Sequence, residues 1–292
     1  MLYKKFSEII TKNKLFSTHD KILLGVSGGS DSIALLHLFL KLTKDMNLYL
    51  SIAHLNHGIR GFRATQDEKF VAALAKKYHL PYFSREVDVP NNAKANRLSL
   101  EDAARQARLI FFQDLCLQNG FTKVCLAHTS DDQMETIIMN FLRGSGLKGL
   151  TGMPLKRSLL ARVELVRPLL SFSKKELRAF CQKQGIKWRE DHTNKQIDQT
   201  RNKIRNIILP KLGKINPSLE NTLAKMAEVV KEENQYLEEI ASKILQEIIQ
   251  KQTANGIRLD TKKLLTYHAA LQRRVVRLAI EQVQGHLQDV YL

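Results

Sequence analysis

The sequence predicts an α/β fold, in which a parallel, doubly wound sheet is followed by a small and mainly helical domain. Between residues 20 and 170, short runs rich in β-forming residues alternate with longer helical patterns, as in parallel sheets covered on both faces. Two prolines and one glycine lie close together within residues 210–217. Beyond them, apolar residues recur at helical spacing. We therefore expect one domain over residues 1–212 and a second over residues 213–292.

Five segments of the first domain have the composition of strands, and each is followed by a helical pattern. The predicted strands are, in order, KILLGVS, LYLSIAHL, YFSREVD, KVCLAH and RVELVRPLL. The helices after them are expected at Asp31 to about Lys44, Ala64 to Tyr78, from Ser99, from about Ser130, and from Ser173 to near Gly185. The starts at Ser99 and Ser173 carry an acidic residue three positions later, which is the spacing of a helix cap.

The second domain is predicted to contain two helices. One long helix is marked by apolar residues three or four apart, at Leu219, Leu223, Met226, Val230, Leu237, Ile240, Ile244 and Ile248. After the turn-like segment TANGIRLD, a second helix is marked by Leu271, Val275 and Leu278 and ends near Gly285.

The composition limits the class of protein and of partner. No apolar run is long enough to cross a membrane, and the amino-terminal segment lacks a cleavage-like ending, so we expect a soluble, cytoplasmic protein. Cys116, Cys125 and Cys181 are too few and too scattered for a disulfide framework or a thiolate metal site, and should be buried. The formal net charge of +17 favours a polyanionic partner, with a generally basic, solubilising surface as the alternative.

The turn between the first predicted strand and its helix has the sequence SGGSDS, at residues 27–32. Because Gly28 and Gly29 lack side chains, backbone N–H groups there can approach an anion at the positive end of the following helix. The lysine and spacing of a Walker A loop are missing, as is G-x-G-x-x-G. The carboxylate of Asp31 would repel phosphates bound at this turn. Either a divalent cation lies between them, or Asp31 acts on a group beside the phosphates. The alternative is a turn whose glycines only permit tight packing.

This SGGxDS pattern resembles that of the PP-loop (N-type) ATP pyrophosphatases, whose fold is adenine nucleotide alpha hydrolase-like. The resemblance implies that the turn grips the β,γ-pyrophosphate of ATP and that the α-phosphate is transferred as AMP. The ATP-binding residues predicted on this basis are Ser27, Gly28, Gly29, Ser30, Asp31, Ser32, His54, Asn56 and His128, and Asp31 is the predicted Mg²⁺ ligand.

Further segments resemble one branch of that family, the tRNA(Ile)-lysidine synthetases. They are HLNHGIRG (54–61), EDAARQAR (101–108), AHTSDDQMETIIMNFLRGSGLKGLTGM (127–153), RPLL (167–170) and WREDHTNKQIDQTRNKIRN (188–206), while GIRLDTKKLL is similar to the family's small substrate-binding domain. The resemblance implies ligation of free lysine to carbon 2 of the wobble cytidine of tRNA(Ile) with a CAU anticodon. ATP adenylates the base, Mg²⁺ assists, and AMP and pyrophosphate are released.

Polar side chains follow two of the predicted strands at the edge where a nucleotide would bind. His54, Asn56 and Arg60 follow the second strand, and His128 ends the fourth. An adenosine could lie against the second strand here, although a lone histidine at such a position is more often structural.

Carboxylates and an arginine are the predicted catalytic residues. Asp132 and Glu135 lie three apart and share a helix face, where they either oppose the helix dipole or join Asp31 in one cleft to hold Mg²⁺ or a cationic substrate. The resemblance favours Arg108 over Arg105 for contact with the target base, whose carbonyl an arginine would polarise. Which carboxylate binds lysine, binds metal or accepts the proton is left open.

Two basic regions are suited to an RNA backbone. Residues 156–178 hold seven basic and two acidic side chains, and residues 187–211 hold seven and three. The predicted tRNA-binding residues are Arg143, Lys148, Arg201, Asn202 and Arg205. Arg201 and Arg205 are four apart and share a helical face. The alternative for the segment with Arg143 and Lys148 is a plain loop, and the alternative for the basic regions is a solvated basic face.

Three other functions compete with this interpretation. A tRNA thiolation enzyme would share the adenylation step, but the nearest of these use Cys-x-x-Cys pairs, which are missing here. A small-molecule amidotransferase would not need the basic regions, and a non-catalytic RNA- or nucleotide-binding module would not need the three carboxylates. Many members of the branch carry a further C-terminal domain, so a truncated sequence is one alternative. Whether the protein forms a homodimer and how it excludes other tRNAs are left open.

Overall fold

A computed structural model describes residues 2–59, 62–190, 200–253 and 256–285. The chain forms two compact units. Unit 1 consists of Met1–Met139 and Met153–Glu220, and unit 2 consists of Asn140–Gly152 and Asn221–Leu292. The assignment of catalysis to residues 1–212 and of substrate binding to residues 213–292 stays a prediction.

Unit 1 contains a six-stranded sheet. Its strands are β1 (Lys21–Gly25), β2 (Tyr49–Asn56), β3 (Tyr82–Glu86), β4 (Lys123–Cys125), β5 (Lys156–Leu160) and β6 (Val163–Val166). They lie in the order β3-β2-β1-β4-β6-β5, and the first five in this order run parallel. The predicted parallel α/β fold is confirmed, and β5 adds an antiparallel edge strand that the sequence analysis did not predict.

Helices alternate with these strands. The helices up to residue 215 are α1 (Leu2–Lys12), α2 (Ser30–Asp45), α3 (Phe62–Lys77), α4 (Val89–Ala95), α5 (Leu100–Asn119), α6 (Ser130–Leu142), α7 (Leu147–Leu150), α8 (Lys174–Lys183), α9 (Thr200–Lys203) and α10 (Leu209–Ile215). A π-helical turn, Ile204–Ile208, joins α9 to α10. Within the described part of the chain, no helix has the length and apolar character needed to span a membrane.

The sheet is buried on both faces. Successive residues of a strand point to opposite faces, so Ile22 and Leu24 of β1 enter one core and Leu23 enters another. The first core also contains side chains of α1, α2 and α8, namely Phe6, Phe39 and Leu177. The second contains Phe111 and Phe112 of α5. This double burial explains why the first strand is a continuous apolar run.

Two helix starts follow the predicted caps. The Ser99 hydroxyl accepts a hydrogen bond from the backbone N–H of Asp102 at 3.1 Å, and α5 begins at the next residue. Ser173 and Glu176 form a reciprocal capping box at the start of α8. Each cap satisfies backbone donors that the first turn of a helix leaves unpaired.

Strand β4 is shorter than predicted, because it ends at Cys125 and not at His128. Its neighbour β6 ends at Val166, where a last hydrogen bond joins the Leu126 N–H to the Val166 carbonyl at 3.0 Å. The residues that follow Leu126 are therefore released from the ladder.

The carboxyl ends of β1 and β4 lie side by side at the point where the strand order reverses. From β1 the chain proceeds to β2 and β3 on one side, whereas β4 leads to β6 on the other. A crevice for a ligand forms at such a switch point, because the loops after the two strands diverge. The SGGSDS turn follows β1, and the segment leading to α6 follows β4.

Unit 2 is built around a long helix, α11 (Leu219–Ile248), as predicted. A hairpin follows, formed by β7 (Ile249–Thr253) and β8 (Gly256–Leu259), where the sequence analysis expected only a turn. Helices α12 (Thr261–Leu264) and α13 (Ala269–Gln284) complete the unit. Its core contains Ala241, Ile244, Leu245, Ile248, Val275 and Ala279.

Candidate active site

A cavity of about 580 Å³ opens at the carboxyl ends of β1, β2 and β4 in unit 1. It is lined by the SGGSDS turn, by polar residues at the end of β2, and by side chains from α5, α6 and α8. This is the place where the switch point of the sheet predicts a ligand.

The SGGSDS turn is held open by its own hydroxyl groups. The Ser27 N–H donates to the Ser32 hydroxyl at 3.2 Å, and that hydroxyl donates to the Gly29 carbonyl at 3.0 Å. Gly28 has a φ of +94°, which a side chain would disfavour, and its carbonyl accepts from the Arg189 N–H at 2.9 Å. No described side chain caps the start of α2, so its first N–H groups can bind an anion.

Gly25, the last residue of β1, also lacks a side chain for a steric reason. A Cβ atom there would lie 2.7 Å from Leu126 Cδ2 and 3.0 Å from Phe112 Cζ. All three residues line the cavity. A larger residue at this position would require both side chains to shift.

Asp31 lines the cavity in the first turn of α2. Burial raises the pKa of its carboxyl group, and the nearby ammonium of Lys174 opposes that effect. The Ser30 hydroxyl donates to Asp31 Oδ1 at 3.0 Å.

His54 and Asn56 are buried at the end of β2 and line the same cavity. His54 Nδ1 donates to the Val26 carbonyl at 2.8 Å, which ties β2 to the phosphate turn. Asn56 Oδ1 accepts from the Gly58 N–H at 3.0 Å. Both side chains therefore support the backbone as well as facing a ligand. Arg60, which was predicted beside them, lies outside the described residues.

His128 and Arg108 also line the cavity. Burial and the Arg108 charge lower the pKa of His128 to about 3, so it is neutral at physiological pH. Its Nδ1 accepts a hydrogen bond from Arg167 Nε at 3.2 Å. Burial and Arg105 lower the pKa of Arg108, and its Nε has no hydrogen-bond partner among the described residues.

Asp132 is a cavity-lining carboxylate of α6. Its Oδ2 accepts from the Thr129 N–H at 2.9 Å, which caps the helix, and its Oδ1 lies 3.0 Å from Lys174 Nζ. Burial alone would raise the pKa of Asp132, but Lys174 and the Thr129 N–H outweigh it and hold the pKa below its usual value. Asp132 therefore stays ionised.

Glu135 is 1% exposed and is not among the residues that line the cavity. Arg201 Nε donates to its Oε2 at 2.8 Å, and Arg205 donates to both carboxylate oxygens, at 2.5 and 2.9 Å. Burial lowers the pKa of each arginine, but the hydrogen bonds to Glu135 outweigh it and raise both. The shared face of Arg201 and Arg205 thus binds a carboxylate within unit 1.

The remaining predicted RNA-binding residues lie elsewhere. Arg143 and Lys148 are in unit 2, where the segment expected to be a loop contains α7. Lys148 Nζ lies 3.8 Å from Glu238 and 3.7 Å from Glu281. Asn202 is half-buried in α9, and residues 191–199 of the resembling segment lie outside the described residues.

Three further basic residues belong to the site but were not predicted from the sequence, namely Lys174, Arg178 and Arg167. Lys174 and Arg178 line the cavity from α8, and Arg167 bonds to His128. Their positions were readable in part, since Lys174 directly follows the predicted cap at Ser173 and Arg178 is four residues further along the same helix.

Comparison with known proteins identifies the family. Residues 2–212 match the PP-loop domain family. A tRNA(Ile)-lysidine synthase from Petrotoga mobilis is 35% identical over 94% of this chain and 84% of its own length. The chain belongs to the tRNA(Ile)-lysidine synthase family. Members from Dehalococcoides mccartyi and Geobacter sulfurreducens are 35% and 36% identical over 99% and 97% of this chain.

This member of the tRNA(Ile)-lysidine synthase family spans 62% and 59% of the length of those last two relatives. A U34-tRNA thiolase from Methanococcus maripaludis, solved with its iron–sulfur cluster, matches the fold with a TM-score of 0.65 at 17% identity. The match covers 79% of this chain and 78% of the thiolase. At that identity the likeness shows a shared fold alone.

Proposed function

We propose that this chain ligates free lysine to carbon 2 of the wobble cytidine of tRNA(Ile) with a CAU anticodon, in the cytoplasm and at the expense of ATP. The observation that carries the proposal is one cavity in which the SGGSDS turn, Asp31, Arg108 and Asp132 meet. The turn can bind the phosphates of ATP. Arg108 provides a cation for the target base, and Asp132 provides a carboxylate for the amine of lysine.

In the first step, the oxygen on carbon 2 of the base attacks the α-phosphate of ATP, and pyrophosphate leaves. The uncapped N–H groups of α2 hold the leaving phosphates. Lys174 and Arg178 supply fixed positive charge beside the turn, in the role that the Walker A lysine has elsewhere.

Mg²⁺ fits this site with Asp31 as its protein ligand. No described cluster of three or more His, Cys, Asp or Glu side chains could hold a metal, but Mg²⁺ is commonly held by one or two carboxylates together with substrate phosphates. Asp31 faces the phosphate turn from the first turn of α2. When bound, the ion would neutralise charge on the phosphates.

In the second step, the ε-amine of lysine attacks carbon 2 and AMP leaves with the oxygen. The ammonium must lose a proton first, since its ordinary pKa is about 10.4. Asp132 lines the cavity and stays ionised, so it suits binding of the ammonium and relay of its proton to solvent. Arg108, with its unpartnered Nε, polarises the base.

The basic regions of the chain are proposed to hold the RNA. Arg201 and Arg205 each keep 25% of the side-chain surface exposed, so both can reach a phosphate while they hold Glu135. Arg143, Lys148 and Asn202 are assigned to the same task. A thiolation function is less well supported, because the three cysteines are buried and none is among the described residues lining the cavity.

The test is incubation with ATP, Mg²⁺, labelled lysine and tRNA(Ile) bearing the CAU anticodon. We expect stable incorporation of label and one AMP released per lysine. The same tRNA with uridine at the wobble position is the matched control and should remain unlabelled. Release of AMP without incorporation of lysine would contradict the proposed acceptor, and Asp31→Asn should abolish both products.

A further inference from the structure

Arg167 and His128 follow two neighbouring parallel strands. Arg167 comes directly after β6, and His128 lies three residues beyond the end of β4. The Arg167 Nε–H donates to Nδ1 of His128 at 3.2 Å. Arg167 is 5% exposed, so this hydrogen bond is shielded from water.

Arg167 makes two further hydrogen bonds, one from its guanidinium and one from its backbone. Its Nη1 donates to the Pro154 carbonyl at 2.9 Å, and its backbone N–H donates to the Leu155 carbonyl at 2.8 Å. Burial and Arg157 lower the pKa of Arg167 to about 10, which leaves it charged at physiological pH. A guanidinium has only donors, so Nδ1 of His128 must act as the acceptor.

A neutral histidine that accepts at Nδ1 carries its proton on Nε2. Burial keeps His128 neutral, and the charges of Arg108, Arg167 and Arg201 also oppose a second proton, whereas Asp132 favours one. Among the described residues, none accepts a hydrogen bond from Nε2. Because the two ring nitrogens point apart, the Nε2 side faces away from Arg167, in a residue that lines the cavity.

We infer that Arg167 is a positioning residue that holds His128 in the tautomer protonated on Nε2, so that His128 donates a hydrogen bond to a substrate oxygen in the cavity. The identity of that substrate rests on the proposed function. The acceptor is a phosphate oxygen of ATP or a carbonyl oxygen of the target base. A neutral donor suits either oxygen, because it needs no proton transfer and keeps its proton throughout the reaction.

The test is nitrogen-15 NMR of the full chain with labelled histidine. Loss of one signal set in His128→Gln assigns the residue among nine histidines. We expect His128 to show a protonated Nε2 and an unprotonated Nδ1 down to pH 5. A proton on Nδ1 in the unaltered protein would overturn the inference without any variant.

Variants then separate positioning from folding. Arg167→Met should convert His128 to a mixture of tautomers, whereas Arg167→Lys should retain part of the Nε2 form because an ammonium can donate to Nδ1. Arg162→Met removes an exposed arginine from the same region and should change nothing. An unchanged His128 spectrum in folded Arg167→Met would overturn the inference, whether or not the protein ligates lysine.

Ligands identify the acceptor. A shift of the His128 Nε2 signal with ATP alone would assign a phosphate oxygen, and a shift only with an anticodon stem-loop RNA would assign the base. A shift with neither ligand would overturn the donor role. In the first two cases Arg167→Met should lower kcat by the same factor as the Nε2-protonated fraction of His128 falls, which is a few-fold for a mixture of tautomers.

Discussion

At the scale of single residues, the three carboxylates near the cavity have different surroundings and therefore different uses. Asp31 is half-buried beside the Ser30 hydroxyl and has a raised pKa, whereas Asp132 faces the Lys174 ammonium and has a lowered one. Glu135 is almost fully buried and is bound by two arginines. Glu135 therefore anchors the two arginines, whereas Asp31 and Asp132 are the two of these carboxylates that line the cavity.

Glu135→Gln tests that anchor. The variant removes the charge of the carboxylate that both arginines hydrogen-bond, while Asp132 remains within 3.7 Å of both, so the free energy of unfolding should fall by about 1–3 kcal/mol. Glu101→Gln is the matched control, because Glu101 pairs with the same Arg201 at 3.1 Å but is 40% exposed, and should cost less than about 1 kcal/mol. Urea denaturation measures both, and equal losses would contradict the anchor role.

His128 predicts a pH dependence of stability. Its pKa is about 3 in the folded chain and about 6.5 when unfolded, so the unfolded state takes up the proton first. The contribution of His128 to the free energy of unfolding is therefore greatest above pH 6.5. It should fall by about 1.4 kcal/mol per pH unit as the pH decreases toward 3. His128→Gln should lack this part of the slope between pH 6.5 and 5. Parallel stability curves for the two proteins would contradict the prediction.

At the scale of elements, α8 brings positive charge to the phosphate turn. Its cap fixes the first turn, and the Lys174 N–H donates to Asp131 Oδ2 at 2.8 Å while the Lys174 ammonium faces Asp132. Two consecutive acids of α6 therefore hold one lysine by its backbone and by its side chain. This arrangement directs Lys174 into the cavity.

Lys174→Ala should slow AMP formation at least about tenfold, because a fixed cation beside the phosphates is lost. Lys175→Ala removes an exposed lysine of the same helix and should leave the rate within about twofold. Single-turnover release of AMP from labelled ATP measures both variants. Equal rates for the two would show that the Lys174 charge does not act on the phosphates.

Elements with local signals were predictable from the sequence, and elements that depend on tertiary contacts were not. The caps at Ser99 and Ser173 and the apolar run of β1 carry their own signals. Strand β5 pairs along one edge only, and the β7–β8 hairpin packs against the core of its own unit. Neither therefore has a distinctive sequence pattern.

The same distinction applies to the candidate site. Asp31 and Asp132 were expected from motifs, and the cavity places them together. The bonds from Arg201 and Arg205 to Glu135 join residues 66 and 70 positions apart, and no local spacing reports such a contact. Lys174 and Arg167 were missed for the same reason.

At the scale of the whole molecule, the net charge of +17 is the dominant property. A surface of this charge attracts a polyanion from a distance and makes its binding depend on salt. The basic residues occur in both units, so we do not expect the proposed RNA binding to be confined to the cavity.

RNA affinity should therefore fall steeply with salt. If six to ten phosphates are contacted, the affinity should drop by about 10³- to 10⁵-fold between about 50 and 200 mM salt. Fluorescence anisotropy with labelled tRNA measures the slope, and ATP binding without RNA is the comparison, with a smaller slope expected. A flat RNA curve would contradict an electrostatic interface.

The space above Gly25 has a consequence for which ligands can enter. A methyl group at this position would displace Leu126 and Phe112, whose side-chain ends reach within 3.0 Å of it. Those two side chains form part of the cavity wall, so the missing atom at residue 25 sets how far the wall stands back. The width of the cavity therefore depends on the absence of a side chain at Gly25, two positions before the SGGSDS turn that first indicated a nucleotide.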